Sequence, residues 1–467
     1  MLMKRKDGES QPGIKWGPFT LRIPFVHTGF EGPEFLQGIL VAAATGLALV
    51  PIMMGAMGLT FEEAVLMSMI SSFLISTGPI LFGEPFAAGW ITPALPLVLS
   101  YVLTEQYPTS VERFQVMAAL SLDLSIILLV LGITGFGKII IEKIPLAMKG
   151  AIIMGAAIAA LKRVFLDDAA NNLDKMPWSM WIAMGTCLLL AFSIPIQKRK
   201  AEWPWLAKIA SLGLLPGFLL AAIVGYMNGE LSWVDEAGQS LIQSGIMVPP
   251  VESLFNKVSP FSIGFPPLSL MLDPDVLGLA FVAYIILFGD IITGIEVLRG
   301  AIKKRPDEKL DFDSTRTHLS TGIRNGLMAL FAPMFPTQGS LWTGVHVIIV
   351  NRWSEGREKM DSLHSGIASY YFFGVPILFL FLPISTGLRP LLPIALALTL
   401  VLTGFACAYV AMDIPRNQAE RGTVLFGGMA LAIFPPFYGI VVAIAAAVLL
   451  LGFNDHDPDS LIEQTED

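Results

Sequence analysis

Long apolar runs, separated by short polar or Gly/Pro-rich breaks, fill the chain from Phe35 to Phe453. In the first half they cover roughly 35–57, 61–81, 91–103, 111–133, 146–164, 178–196 and 206–227. A polar, Pro-rich stretch over 228–273 intervenes, and runs then follow at roughly 276–298, 322–334, 341–350, 367–382, 391–412, 424–433 and 438–453. As helices, most are about long enough to cross a hydrocarbon core of roughly 30 Å, which predicts an all-α polytopic membrane protein of about fourteen segments. A transmembrane barrel would instead show short alternating strands.

The third and tenth runs are too short to cross as complete helices. Each follows an irregular stretch, Gly83-Glu84-Pro85-Phe86-Ala87-Ala88-Gly89 and Pro333-Met334-Phe335-Pro336-Thr337-Gln338-Gly339. Non-helical backbone survives at membrane depth only inside protein or beside a cavity. The breaks hold matching places, third of seven in each half, and Gly89-Trp90-Ile91-Thr92 precedes Gly339-Ser340-Leu341-Trp342-Thr343 by about 250 residues. Seven is odd, so a second copy would be inverted, and paired interrupted segments in inverted halves point to a transporter site between the repeats. The expected division is an N-terminal segment over 1–34, a first repeat over 35–227, a connector over 228–273, a second repeat over 274–453 and an acidic tail over 454–467.

Composition agrees: 54% of the 467 residues are hydrophobic and 15% charged, and the mean hydropathy is +0.67. The net charge of −8 has to be read by location. With the N-terminus inside, the inner loops take Lys138, Lys143, Lys198-Arg199-Lys200, Lys303-Lys304-Arg305, Arg352, Arg357, Lys359, Arg416 and Arg421, as the positive-inside rule favours. Both ends are therefore expected in the cytoplasm, the connector outside, and the chain in a cytoplasmic or inner membrane. The polar start, Met1 to Phe30, has no apolar core with a cleavage site, which argues against a cleaved signal peptide. Cys187 and Cys407 sit in apolar runs without metal-ligand spacing. No P-loop, HExxH or GxSxG motif is present, so enzymatic chemistry and cofactors are not expected, and nucleic-acid binding has no support.

Ionisable residues inside a span are costly and so are functional candidates. Asp290 lies in Phe288-Gly289-Asp290-Ile291-Ile292-Thr293-Gly294, with Thr293 at i+3 on its face. Asp290 is expected to bind solute or coupling ion, H+ or Na+. Asp123, between Ser121 and Ser125, reads equally as a packing group or a proton relay. Glu296 pairs more simply with Arg299, and His346 reads as a packing histidine. A half-helix starting at mid-membrane offers unpaired N–H groups and a positive dipole end. Gly89, Trp90 and Thr92 on one side, with Gln338, Gly339, Ser340, Leu341 and Trp342 on the other, would then face one another across a cavity and clamp a small anionic or heterocyclic solute.

Phe335-Pro336-Thr337-Gln338-Gly339-Ser340-Leu341 resembles the Tyr-Pro-x-Thr-Gly-Ser-Phe run ahead of the tenth helix of sulfate permeases. Gly344-Val345, Arg352, Leu49-Val50-Pro51 and the place of Asp290 before Lys303-Lys304 are similar to the uracil, xanthine and ascorbate permeases. The chain departs from the latter at Leu341-Trp342, where they carry Glu-Asn, and at Gly38 after Gln37, where a His is common. A STAS domain, usual in sulfate permeases, is not expected in the residues after Phe453. The resemblance implies a divergent member of this superfamily, with seven-plus-seven inverted repeats, core and gate domains, elevator-like motion and a homodimer. An ion-coupled secondary transporter is the leading expectation. An uncoupled anion exchanger or channel is the second, and a membrane-embedded enzyme or sensor lacks its residues.

Overall fold

The computed structural model describes residues 3, 5–136, 145–167, 173–211, 215–235, 237–334, 338–372 and 379–452. A hairpin of β1 (Ile14–Trp16) and β2 (Phe19–Leu21), paired antiparallel with Ile14 opposite Leu21, precedes the helices. The first half comprises α1 (Gly32–Gly46), α2 (Val50–Gly55), α3 (Phe61–Ile80), a 3-10 turn at Thr92–Ala94 leading into α4 (Leu95–Val102), α5 (Ser110–Thr134), α6 (Leu146–Lys162), α7 (Pro177–Phe192), α8 (Ile194–Glu202), α9 (Pro204–Ser211) and α10 (Leu215–Met227). Short helices α11 (Val251–Val258), α12 (Pro260–Ile263) and α13 (Leu268–Met271) fold the connector. The second half comprises α14 (Pro274–Ile302), α15 (Ser314–Phe331), α16 (Thr343–Ser354), α17 (Leu363–Phe372), α18 (Leu382–Gly387), α19 (Leu392–Asp413), α20 (Gln418–Ile433) and α21 (Pro436–Leu451).

The fold is the all-α polytopic membrane architecture that the hydropathy pattern predicts. Among the described residues four stretches are single helices long and apolar enough to cross a bilayer: Phe61–Ile80, Ser110–Thr134, Pro274–Ile291 and Arg389–Asp413. Several other runs, read as continuous from hydropathy, are broken. The first splits into α1 and α2, with a proline in the first turn of α2. The sixth bends by 61° between α7 and α8 at Ser193, just before Pro195. Proline removes an intrahelical donor and crowds the preceding turn, whereas hydropathy registers only apolarity. The ninth run, expected from 322, begins eight residues earlier, capped by Asp313, whose carboxylate accepts from the Thr315 and Arg316 amides. Its first turns are polar yet buried, which hydropathy cannot detect.

Two groups of helices meet along one seam. In one, α5 packs on α15 and α14, α1 and α3 on α17, and α14 on α16; in the other, α6 packs on α19 and α20, α20 on α21, and α7 on α10 and α19. The second group is built by small residues. A Cβ on Gly150 would stand 2.8 Å from Val424, one on Gly155 2.9 Å from Leu431, and one on Gly428 2.6 Å from Met154. Gly439, Ala443 and Ala447 make the buried stripe of α21, while Leu449 on its other face is 83% exposed. With no hydrophobic drive between helices in lipid, close backbone approach of this kind supplies the association. The 3-10 turn and α4 lie on the seam, touching α6, α14 and α19.

The N-terminal segment is fastened to the first group. Backbone amides of Thr20 and Arg22 donate to the carbonyls of Phe82 and Ile80, Trp16 Nε1 donates to Leu81, and Arg22 Nη1 to Gly83. These groups satisfy the carbonyls that α3 leaves open at its C-terminus. Beside them Arg5 bonds the Asp307 carboxylate at 2.7 Å, and Gly8 N and Lys309 N exchange bonds with Asp307 and Glu9.

Candidate functional site

The two breaks come together, as the matched sequence stretches predict, but by direct contact. Gly339 N donates to the Gly89 carbonyl at 2.7 Å and Trp342 N to the Ala87 carbonyl at 2.7 Å, so the irregular segments ahead of α4 and α16, the break strands, cross and are joined by these two bonds. Glycine is required here: a Cβ on Gly89 would meet Trp342 Cβ at 2.6 Å, and one on Gly339 the Gly89 oxygen at 2.9 Å. His346, one turn into α16, accepts the Ala87 amide through Nδ1 at 3.2 Å and packs on Phe86. The Tyr371 hydroxyl donates to the Ala88 carbonyl.

The side chains divide into those that build the crossing and those that are left open. Leu341 packs with Phe86 against Gly294 of α14, and Trp342 packs edge-on against Tyr370. Gln338 donates through Nε2 to the Ser71 carbonyl of α3 at 3.1 Å, and its Oε1 is buried without a hydrogen bond. Thr92 Oγ1 turns back to the Trp90 carbonyl at 3.4 Å. Trp90 Nε1 and Ser340 Oγ carry no hydrogen bond, and Ser340 is only 2% exposed. With Gln338 Oε1 they are polar atoms that await a partner at the junction.

Asp290 is half-buried on α14, one turn before Gly294, and so lies on the helix that Phe86 and Leu341 of the two breaks touch at Gly294. The side chains of Thr293 and Glu296 and all of Phe335, Pro336 and Thr337 lie outside the described residues. Asp123 is 5% exposed on α5, and its Oδ2 has no partner; neighbouring Ser125 bonds the Gly322 carbonyl of α15 at 2.8 Å.

Sequence reasoning missed the charges behind the breaks. Arg324 of α15 is fully buried; its Nη2 donates to the Gly339 carbonyl at 3.1 Å and to Thr321 Oγ1 at 3.0 Å, while Nε and Nη1 have no partner. Next to it, Asn325 Nδ2 donates to the Gln338 carbonyl at 2.9 Å. Below them Glu84, in the first break, accepts from Thr317 Oγ1 at 2.7 Å and lies 3.6 Å from Arg316 Nε. An arginine within the predicted ninth run was the available signal for Arg324. Glu84 gave none, because its burial depends on Thr317 and Arg316, more than 200 positions away.

Comparison with solved structures finds the same fold. Murine Solute Carrier 26 family member A9, described as an anion transporter in the inward-facing state, superposes with a TM-score of 0.51 at 15% identity, covering 93% of this chain and 68% of that one. A second structure of SLC26A9 gives 0.51 and 15%, covering 90% and 65%. The transmembrane domain of a cyanobacterial bicarbonate transporter, BicA, gives 0.47 and 14%, covering 88% and 96%. The chain thus spans about two thirds of the SLC26A9 chains it matches. No protein-family profile and no curated protein sequence matches it.

Proposed function

We propose that the protein is a secondary transporter of a small anionic or heterocyclic solute, bound where the two break strands cross. The observation that carries this reading is the crossing itself: non-helical backbone paired between two interrupted apolar runs, two short helices starting beside it, and buried donors with no partner. The shared fold supports it, since SLC26A9 is described as an anion transporter. The finer reading is a proton- or sodium-coupled permease, with Asp290 taking the ion or solute, Asp123 and Glu296 as further coupling candidates, and the α5–α15–α14 group moving as an elevator against the α6–α19–α20 group. A homodimer in a cytoplasmic or inner membrane, with both termini inside, completes it. Neither a cofactor nor an enzymatic step is part of this proposal.

An uncoupled anion exchanger or channel is the second reading, favoured by the buried donors at the junction, which could hold an anion without a carboxylate taking part. Proteoliposomes separate the two. Labelled chloride, bicarbonate, sulfate and uracil should be offered with and without sodium and pH gradients. Coupled transport predicts uptake driven by one gradient and lost in Asp290→Asn. Uptake indifferent to both gradients and to that substitution transfers the assignment to the exchanger. An inert protein in every arm refutes transport at this site.

A further inference from the structure

Arg324 stands out among the described residues: a fully buried guanidinium whose charge is felt by Glu84 but whose Nε and Nη1 have no hydrogen-bond partner. Unsatisfied buried donors on a charged group are expensive and call for an explanation. The backbone beside it provides one. A trans peptide holds its C=O and N–H on opposite sides, so fixing the carbonyl fixes where the next residue's N–H points. Arg324 draws the Gly339 carbonyl toward α15, which turns the Ser340 N–H away from α15. Asn325 draws the Gln338 carbonyl the same way; the Gly339 N–H then points to the Gly89 carbonyl, whose fixation in turn aims the Trp90 N–H onward. Among the described residues neither the Ser340 nor the Trp90 amide finds an acceptor. Each relay begins on α15 and ends on an open donor at the crossing, and hydrogen bonds in series polarise one another. Ser340 Oγ, buried and unpartnered, stands beside the first.

We propose that Arg324 and Asn325 are positioning residues for solute binding, setting the Ser340 and Trp90 amides as a paired donor site for an anion whose charge Arg324 balances from behind the crossing. This rests on the anion reading given above. The solute meets the backbone donors, and the guanidinium sets their direction and the sign of the local potential.

The test uses the full chain in proteoliposomes with labelled chloride, bicarbonate and sulfate, taking whichever the wild type accumulates. Arg324→Gln should raise KM by about tenfold or more with a maximal rate within about twofold of wild type. Arg324→Lys, which keeps the charge but loses the fork, should raise it by about threefold, and Asn325→Ala by a similar factor. Where Arg324→Gln does not fold, judged by its gel-filtration profile, Thr321→Ala decides, since it removes the other anchor of Nη2 and should also raise KM. Wild-type KM in the folded Arg324→Gln protein, or in Thr321→Ala as its substitute, overturns the proposal while leaving the anion reading intact. Wild-type vesicles that accumulate none of the three anions overturn that reading, and this proposal with it.

Discussion

A methyl group on Gly89 would stand 2.6 Å from Cβ and 3.1 Å from Cα of Trp342, neither of which can yield without moving the second break strand. Gly89→Ala should therefore cost about 1–3 kcal/mol of stability and reduce uptake by about tenfold or more. Gly185→Ala, with open space around its Cβ position, should leave the melting temperature and uptake as they are. Uptake at the wild-type rate in Gly89→Ala would mean that the strands need not cross to bind solute. At this scale the sequence was most informative for glycine and least for polar side chains. Gly89 and Gly339 stand out by position in matching breaks. Whether Gln338 faces solute or Ser71 depends on a helix 267 residues earlier.

The N-terminal element makes a separate prediction. Hydrogen bonds from Arg305 hold the Asp307 carboxyl well below the usual carboxylate range, and Arg5 adds to them against the opposing effect of burial. A depressed folded value means that stabilisation is complete above the unfolded pKa of about 4 and is lost as pH falls below it. Protection of the Gly8 and Lys309 amides against hydrogen exchange should accordingly be high at neutral pH and fall below about pH 4. Asp307→Asn should lower it at neutral pH. Unchanged protection in that variant would show that the backbone bonds alone hold the segment. The element boundaries teach the same lesson about proline and burial: the α7–α8 bend was missed because hydropathy carries no geometry. The start of α15 was missed because its buried Arg316, Thr317 and His318 count as polar.

For the whole molecule, elevator motion requires the two helix groups to slide along their seam. Gly278 of α14 and Ile440 of α21 touch across it, with a Cβ on Gly278 falling 2.9 Å from Ile440 Cδ1, and Phe437 N donates to the Asp275 carboxylate nearby. Gly278→Cys with Ile440→Cys, in a chain whose Cys187 and Cys407 are replaced by Ala, should stop uptake when oxidised and regain it on reduction. Full oxidation with undiminished uptake would exclude sliding at this seam. Sequence by itself determined the membrane class, the two breaks and their matched places, because apolar run length and Gly/Pro interruptions are local properties that the bilayer reads directly. Only the tertiary structure decided that the breaks bond one another, that Leu341 packs on Gly294 and Gln338 bonds Ser71, and that Arg324 and Glu84 are buried behind them. Those facts depend on which helices become neighbours, and burial in lipid-embedded protein is a property of the neighbours rather than of the run.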